Sequence, residues 1–181
     1  MKALCMVAHP DDCVIFAYSF IHNHPGLEWT ICYLTYTKDH PRGIELSKFW
    51  QGRGIDTKFL GYVDDYRDLD TNCLSFDTVN AQQDIQNLCH KHDIILTHDA
   101  SGDYGHIHHK FVNMSIPCDH GHVITFAPPG KGTDTYKIPS GVYSLNELPQ
   151  HSSIIESFHR MIHTNSYNIP MSTKSMLDNQ T

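Results

Sequence analysis

The 181-residue chain has no Cys-x-x-Cys pair, no Gly-x-Gly-x-x-Gly after its first apolar run and no apolar stretch near the ~20 residues that span a membrane. It is also short of basic residues. Without paired spacing, Cys5, Cys13, Cys32, Cys73, Cys89 and Cys118 read as buried free thiols, which implies a reducing, cytoplasmic setting. Without the glycine fingerprint, a dinucleotide site of the usual kind is not expected. Thirteen Lys and Arg against 20 Asp and Glu give a net charge of -7, so the chain lacks the cations that nucleic-acid binding draws on, and no nucleic-acid partner is predicted. A signal peptide cut within the first residues would destroy the richest motif in the sequence, so none is expected. The length suits one domain.

Histidine is abundant, at fifteen residues. The densest chemistry is Ala8-His9-Pro10-Asp11-Asp12, where the apolar run Ala3 to Ala8 delivers a histidine and two carboxylates into a turn. That run reads as a strand buried on both faces, and Pro10 keeps His9 extended and suits the first position of a following helix over Val14 to Ile21. Taken alone, the two aspartates are equally explained as helix-dipole partners. His22 and His24 read as exposed loop residues.

Trp29 to Thr37 reads as a second strand, ending in a polar loop with Arg42. Ile44 to Trp50 predicts a short helix, and Lys58 to Tyr62 a third strand. Asp64, Asp65, Arg67, Asp68 and Asp70 follow it as a charged loop where such sheets bind substrate. Ala81, Ile85 and Leu88 mark a surface helix between Asp77 and His90, and Asp93 to Thr97 is a clear strand. Alternating strands and helices predict an α/β, Rossmann-like three-layer sandwich with a mostly parallel sheet. The strand ends of such a sheet share one edge.

A second polar cluster, His98 to His109, follows that strand. If a helix starts after Gly105, His106 and His109 share a face and His108 points elsewhere. Two histidines and an aspartate leave a fourth corner of tetrahedral zinc open, as catalytic sites do. Cys118, His120 and His122 read as loop residues beside a fifth strand, His122 to Phe126. Residues 136 to 145 predict an edge strand or hairpin, Ile154 to Ile162 a packing helix, and the polar residues from Tyr167 a frayed tail.

Ala8-His9-Pro10-Asp11-Asp12 paired with Tyr104-Gly105-His106-x-x-His109 resembles the PIG-L / LmbE family of zinc-dependent N-acetyl-amino-sugar deacetylases. Arg42-x-x-Glu45, Leu60-Gly61-x-x-Asp64 and Thr97-His98-Asp99 fall in that family's order. The resemblance implies one deacetylase domain over 1–166 with a tail over 167–181, and a site at the carboxyl ends of the strands. It implies zinc, or another divalent ion, on His9, Asp12 and His109, with Asp11 as general base. His106 and Tyr104 would face the oxyanion, while Arg42 and Asp64 would contact a small N-acetylated amino sugar, such as an N-acetylglucosamine derivative, or its glycoside. Two positions depart from the family pattern. Cys13 stands where Glu is usual, and His108 where Asp often orients His106. A zinc hydrolase of another amide or ester, and a silent carbohydrate- or metal-binding module, are the competing readings.

Overall fold

Strand β1 (Lys2–Val7) runs between two parallel neighbours, β2 (Glu28–Thr35) and β6 (Ile94–Thr97), which is why Ala3 through Ala8 are fully buried. The computed structural model describes residues 1–68, 73–139, 145–161 and 164–178. Side chains alternate along β1. Ala3, Cys5 and Val7 join the core beneath Tyr33, Trp50 and Phe126, while Leu4, Met6 and Ala8 join the opposite core with Ile85, Cys89 and Val112. The run is apolar throughout because both of its faces are covered.

The sheet continues as β3 (Asp56–Tyr62) beyond β2 and as β7 (Val123–Ala127) beyond β6, all five strands parallel. The expected mostly parallel α/β architecture is therefore the observed one. Helices α2 (Pro41–Gln51), α3 (Thr78–Cys89) and α4 (Ile107–Ser115) connect the strands, with Pro41 at the start of α2 and the Asp77 carboxylate accepting from Val79 N–H and Asn80 N–H at the start of α3. A two-stranded ribbon, β4 (Tyr66–Asp68) with β5 (Cys73–Leu74), follows Asp65. Asp70, Ile162 and most of the expected edge strand beyond Pro139 lie outside the described residues.

The segment after β1 departs from expectation. Pro10 sits in a turn, Asp12 already has helical dihedrals, and a π-helical stretch (Cys13–Ala17) follows before α1 (Tyr18–Asn23). Both Val14 N–H and Ile15 N–H close on the Asp11 carbonyl at 3.0 Å, and Asp12 bonds back to the His9 backbone instead of capping the helix. π-Turns of this kind gather at functional sites.

The carboxyl end corrects the expectation of a frayed tail from Tyr167. After α5 (Ser152–Met161), strand β9 (Thr164–Asn168) pairs antiparallel with β7 on one side and β8 (Asp134–Lys137) on the other, and α6 (Met171–Asp178) follows. Its polar residues are buried and bonded. Asn165 Nδ2 donates to the Ile15 carbonyl at 2.9 Å, and Ser19 Oγ donates to Asn165 Oδ1 at 2.8 Å. The Tyr167 hydroxyl donates to the Phe16 carbonyl at 2.6 Å and accepts from Phe20 N–H at 3.3 Å. This strand fastens the π-helical segment from behind. Tyr167→Phe should therefore lower unfolding free energy by about 1–3 kcal/mol, because it strands buried backbone groups, with the loss read from the denaturant midpoint. A change within error would show that the hydroxyl carries no such role.

Candidate metal centre

His9 is delivered by the end of β1 and His98 by the end of β6, side by side. Ala8 N–H donates to His98 Nε2 at 3.0 Å, while the Ala8 carbonyl accepts from Thr35 N–H at 3.0 Å and Thr35 Oγ at 2.8 Å. The backbone entering His9 is thus held from both neighbouring strands. Helix α4 starts at His106, whose Nδ1 accepts from His108 N–H, and Asn113 Nδ2 ties the helix to the His98 carbonyl at 2.8 Å. His109, one turn in, is fully buried against His98, with ring centres 3.8 Å apart.

The three residues expected to hold metal meet. His9 Nδ1 lies 3.2 Å from Asp12 Oδ2 and 3.2 Å from His109 Nε2, and His109 Nε2 lies 3.3 Å from Asp12 Oδ2. Donor atoms ~2.0 Å from a tetrahedral ion stand roughly 3.3 Å from one another, so the triangle has the right size for zinc. Orientation agrees as well. The His109 Nδ1–H donates to Asp103 Oδ2 at 2.8 Å, which leaves the Nε2 lone pair facing the triangle. Asp12 Oδ2 is pinned by His9 N–H at 2.7 Å.

His98 also lies near Asp12 and His109, and those three could hold an ion by distance alone. Its ring nitrogens are otherwise engaged. Nε2 accepts from Ala8 N–H, and Nδ1 bonds Asp103, so His98 orients the site from behind. Asp103 reaches both rings from a tight turn in which Gly102 has φ 77° and Asp103 φ 62°; a Cβ on Gly102 would meet the His106 carbonyl at 2.6 Å.

Electrostatics fit a cation. Burial alone would lower His9, but the Asp12 and Asp64 carboxylates push it up to about 9. Burial likewise opposes the charge of Asp12, yet His109 and His9 hold its carboxyl well below the ordinary range. Protons gather where the donors converge, and a metal ion would take their place.

Asp11 points away from the triangle. Its Oδ1 accepts from Arg42 Nη2 at 2.8 Å, and Arg42 is fixed in turn by Tyr36 Oη at 3.2 Å and His151 Nε2 at 3.0 Å. Burial and the Asp12 charge raise the Asp11 pKa, and Arg42 pulls against them. His106 is lowered to about 4 by burial and by the charges of His9, His109 and His108. Since its Nδ1 accepts from the backbone, the neutral ring carries its proton on Nε2. Tyr104 is largely exposed, and burial of part of its ring raises its pKa. Asp11, Arg42, Asp64, Tyr104 and His106 line one cleft of about 490 Å³. A larger groove of about 800 Å³ touches Glu28 and Asp56 at the amino ends of β2 and β3, the opposite edge of the sheet.

Sequence reasoning missed His108 and His151, and gave Asp64 a substrate contact only. His108, expected to point elsewhere, sets its Nδ1 3.0 Å from His9 Nε2 and 3.4 Å from Asp64 Oδ1. Asp64 Oδ1 is itself 3.2 Å from His9 Nε2, so this carboxylate orients His9 as Asp103 orients His109. His151, fully buried, anchors Arg42 from a segment with no motif. Cys13 is no ligand. Its Sγ lies in the core against Tyr33 Oη at 3.0 Å and Trp50 Nε1 at 3.2 Å, and burial pushes the thiol up to about 12.

No protein-family model and no curated protein matches the sequence. Solved structures do share its fold. The chain is similar to 4-carboxy-2-hydroxymuconate hydratase from Pseudomonas putida KT2440, with TM-score 0.66 and 13% identity over 92% of this chain and 95% of that one. It is similar to N,N'-diacetylchitobiose deacetylase from Pyrococcus horikoshii, with TM-score 0.54 and 17% identity over 98% and 74% of the two chains. It also resembles a deacetylase of teicoplanin biosynthesis, with TM-score 0.53 and 12% identity over 87% and 84%. At these identities the likeness establishes the fold.

His151 yields a prediction about stability. Burial and the nearby charges of Arg42 and His40 lower its pKa to about 3, so the fold accommodates the neutral ring. Stability from this group is complete above its unfolded value of about 6.5 and is lost progressively as pH falls below that towards the folded value. Wild-type protein should melt above His151→Gln at pH 7, with the gap closing at pH 5. A gap that widens on acidification would contradict the neutral assignment.

Proposed function

We propose that the chain is a metal-dependent hydrolase that removes the acetyl group from an N-acetylated amino sugar or its glycoside. The observation that carries this reading is the triangle of His9 Nδ1, Asp12 Oδ2 and His109 Nε2 at 3.2–3.3 Å, opening on a cleft that also holds Asp11. Zinc or another divalent ion bound there supplies Lewis acidity that brings the pKa of water towards ~7.

The protein's own groups do the rest. Asp11, buried and raised, accepts the proton of the attacking water and passes it to the leaving amine. Arg42 holds the Asp11 carboxylate in one orientation and favours its ionised form. His106 offers its Nε2–H, and Tyr104 its hydroxyl, to the oxygen on which negative charge develops. Asp64 stands at the cleft with Tyr36 Oη donating to its Oδ2 at 2.7 Å, a polar pair suited to sugar hydroxyls. The five cysteines with described side chains are all free, which supports a reducing compartment. No described helix is long and apolar enough to cross a membrane.

The hydratase likeness favours a second reading, water addition to a carboxylated substrate, because it spans nearly all of both chains. The cleft argues against it. Asp64 and Asp65 line its wall away from the triangle, and Arg42 is already paired with Asp11, so a substrate bearing several carboxylates finds no unpaired guanidinium there.

Acetate release measured over a panel of N-acetyl sugars tests the proposal. Asp11→Asn should cut turnover by ~100-fold or more while the ion stays bound. Asp12→Ala and His109→Ala should instead lose the ion, as read by elemental analysis. Zinc and sugar binding with no acetate released, and no effect of Asp11→Asn, would point to a binding module. Unchanged metal content in both ligand variants would refute the ligand set.

A further inference from the structure

His9 presents both ring nitrogens to clusters of donor atoms, and the second cluster is the unexplained one. On its far side, Nε2 lies 3.2 Å from Asp64 Oδ1 and 3.0 Å from His108 Nδ1, and those two are 3.4 Å apart. This is a second triangle of tetrahedral dimensions. His9, Asp64 and His108 also satisfy the distances for a cation site among the described residues.

We infer that His9 Nε2, Asp64 Oδ1 and His108 Nδ1 form a second divalent-cation site, with the His9 ring bridging it to the first. Two features besides distance support this. Tyr36 Oη occupies Asp64 Oδ2, which leaves Oδ1 turned towards the two imidazoles. The Asp64 side chain is 24% exposed and lines the cleft, so an ion has a path from solvent, while His108 is fully buried beneath it. Hydrogen bonds from both imidazoles to Asp64 would account for two of these distances, but they would set two N–H donors, on His9 Nε2 and His108 Nδ1, 3.0 Å apart.

The charge balance sets the order of loading. With one ion on Nδ1, neutral His9 keeps its proton on Nε2, bonded to Asp64. The second ion takes the Nε2 lone pair, and that proton leaves to solvent. Two dications then face three negative charges, on Asp12, Asp64 and the doubly coordinated ring. The second ion therefore binds more weakly than the first. It also occupies Asp64, which the functional proposal places at the substrate, so filling it should depress turnover.

The inference rests on the first centre only for the bridging role of His9, and metal counting separates the two. Metal-free protein is equilibrated with increasing zinc, and bound ions are counted by elemental analysis. Wild type should take up one ion tightly and a second more weakly, reaching two per chain. His108→Asn and Asp64→Ala should each keep the tight ion and lose the weak one, whereas His109→Ala should lose the tight one. Asp64, being partly exposed, guards against misfolding of the buried variant. With Co2+ as the probe, wild type should show magnetic coupling between two ions through the His9 ring. Saturation at one zinc per chain overturns the inference. So does a second ion that survives both substitutions, as one held by surface histidines would, or two uncoupled Co2+ ions.

Discussion

The centre depends on the parallel pairing of β1 with β6, because that pairing sets Ala8 beside His98 and brings two distant segments to one point. The contact is a hydrogen bond from Ala8 N–H to His98 Nε2, in a position where a strand would ordinarily continue its ladder. It does two things together. It ends β1 without leaving a buried N–H unsatisfied, and it fixes the His98 tautomer, so that Nδ1 turns to Asp103. Asp103 then sets His109. From one backbone amide the orientation passes through His98 and Asp103 to a nitrogen aimed at the ligand triangle, without a loop in the path except the tight turn at Gly102.

Burying this many ionisable groups would be unfavourable if any stood alone, since removing a single charge from water costs several kcal/mol. A charge pair 3.2 Å apart recovers about 5 kcal/mol at an effective dielectric of ~20. The terms are comparable, so each carboxylate must serve more than one imidazole. That is the observed arrangement. Asp12 faces His9 and His109, Asp103 faces His98 and His109, and Asp64 faces His9 and His108. Asp11 alone is answered by a guanidinium, and this separates it chemically. Its partner keeps its charge, whereas the partners of the others are imidazoles.

What could be read in advance was whatever sits in short sequence range or follows the sheet rule. His9, Asp12 and His109 were legible because an apolar strand, a proline turn and a His-x-x-His spacing each have a local signature, and parallel strand ends share an edge. His108 was not legible. Helical spacing separates it from His106 and His109, but at the first turn of α4 the ring of His9 lies close enough to be reached from either side. His151 carries no pattern at all, because its role is fixed by contact with Arg42 across 109 residues of sequence. β9 was hidden for a related reason. Hydrophobic periodicity cannot find a strand whose buried residues are Asn165, Ser166 and Tyr167, the first and last satisfied by partners near residues 15 to 20 and Ser166 by Gly130 N–H.

The imidazole at position 108 has an electrostatic consequence at His106. A negative charge there would hold the His106 ring protonated. Instead burial, with three imidazoles at centre distances of 4.6 Å to His9, 4.8 Å to His109 and 5.3 Å to His108, lowers its pKa to about 4. On the proposed reading, the developing oxyanion then meets a neutral N–H donor and not an imidazolium, and a neutral hydrogen bond is about half as strong as a charged one. More of the negative charge must be borne by the ion. The residue that helps keep His106 neutral also sets a nitrogen 3.0 Å from the far side of the His9 ring, so the two proposals meet in one side chain.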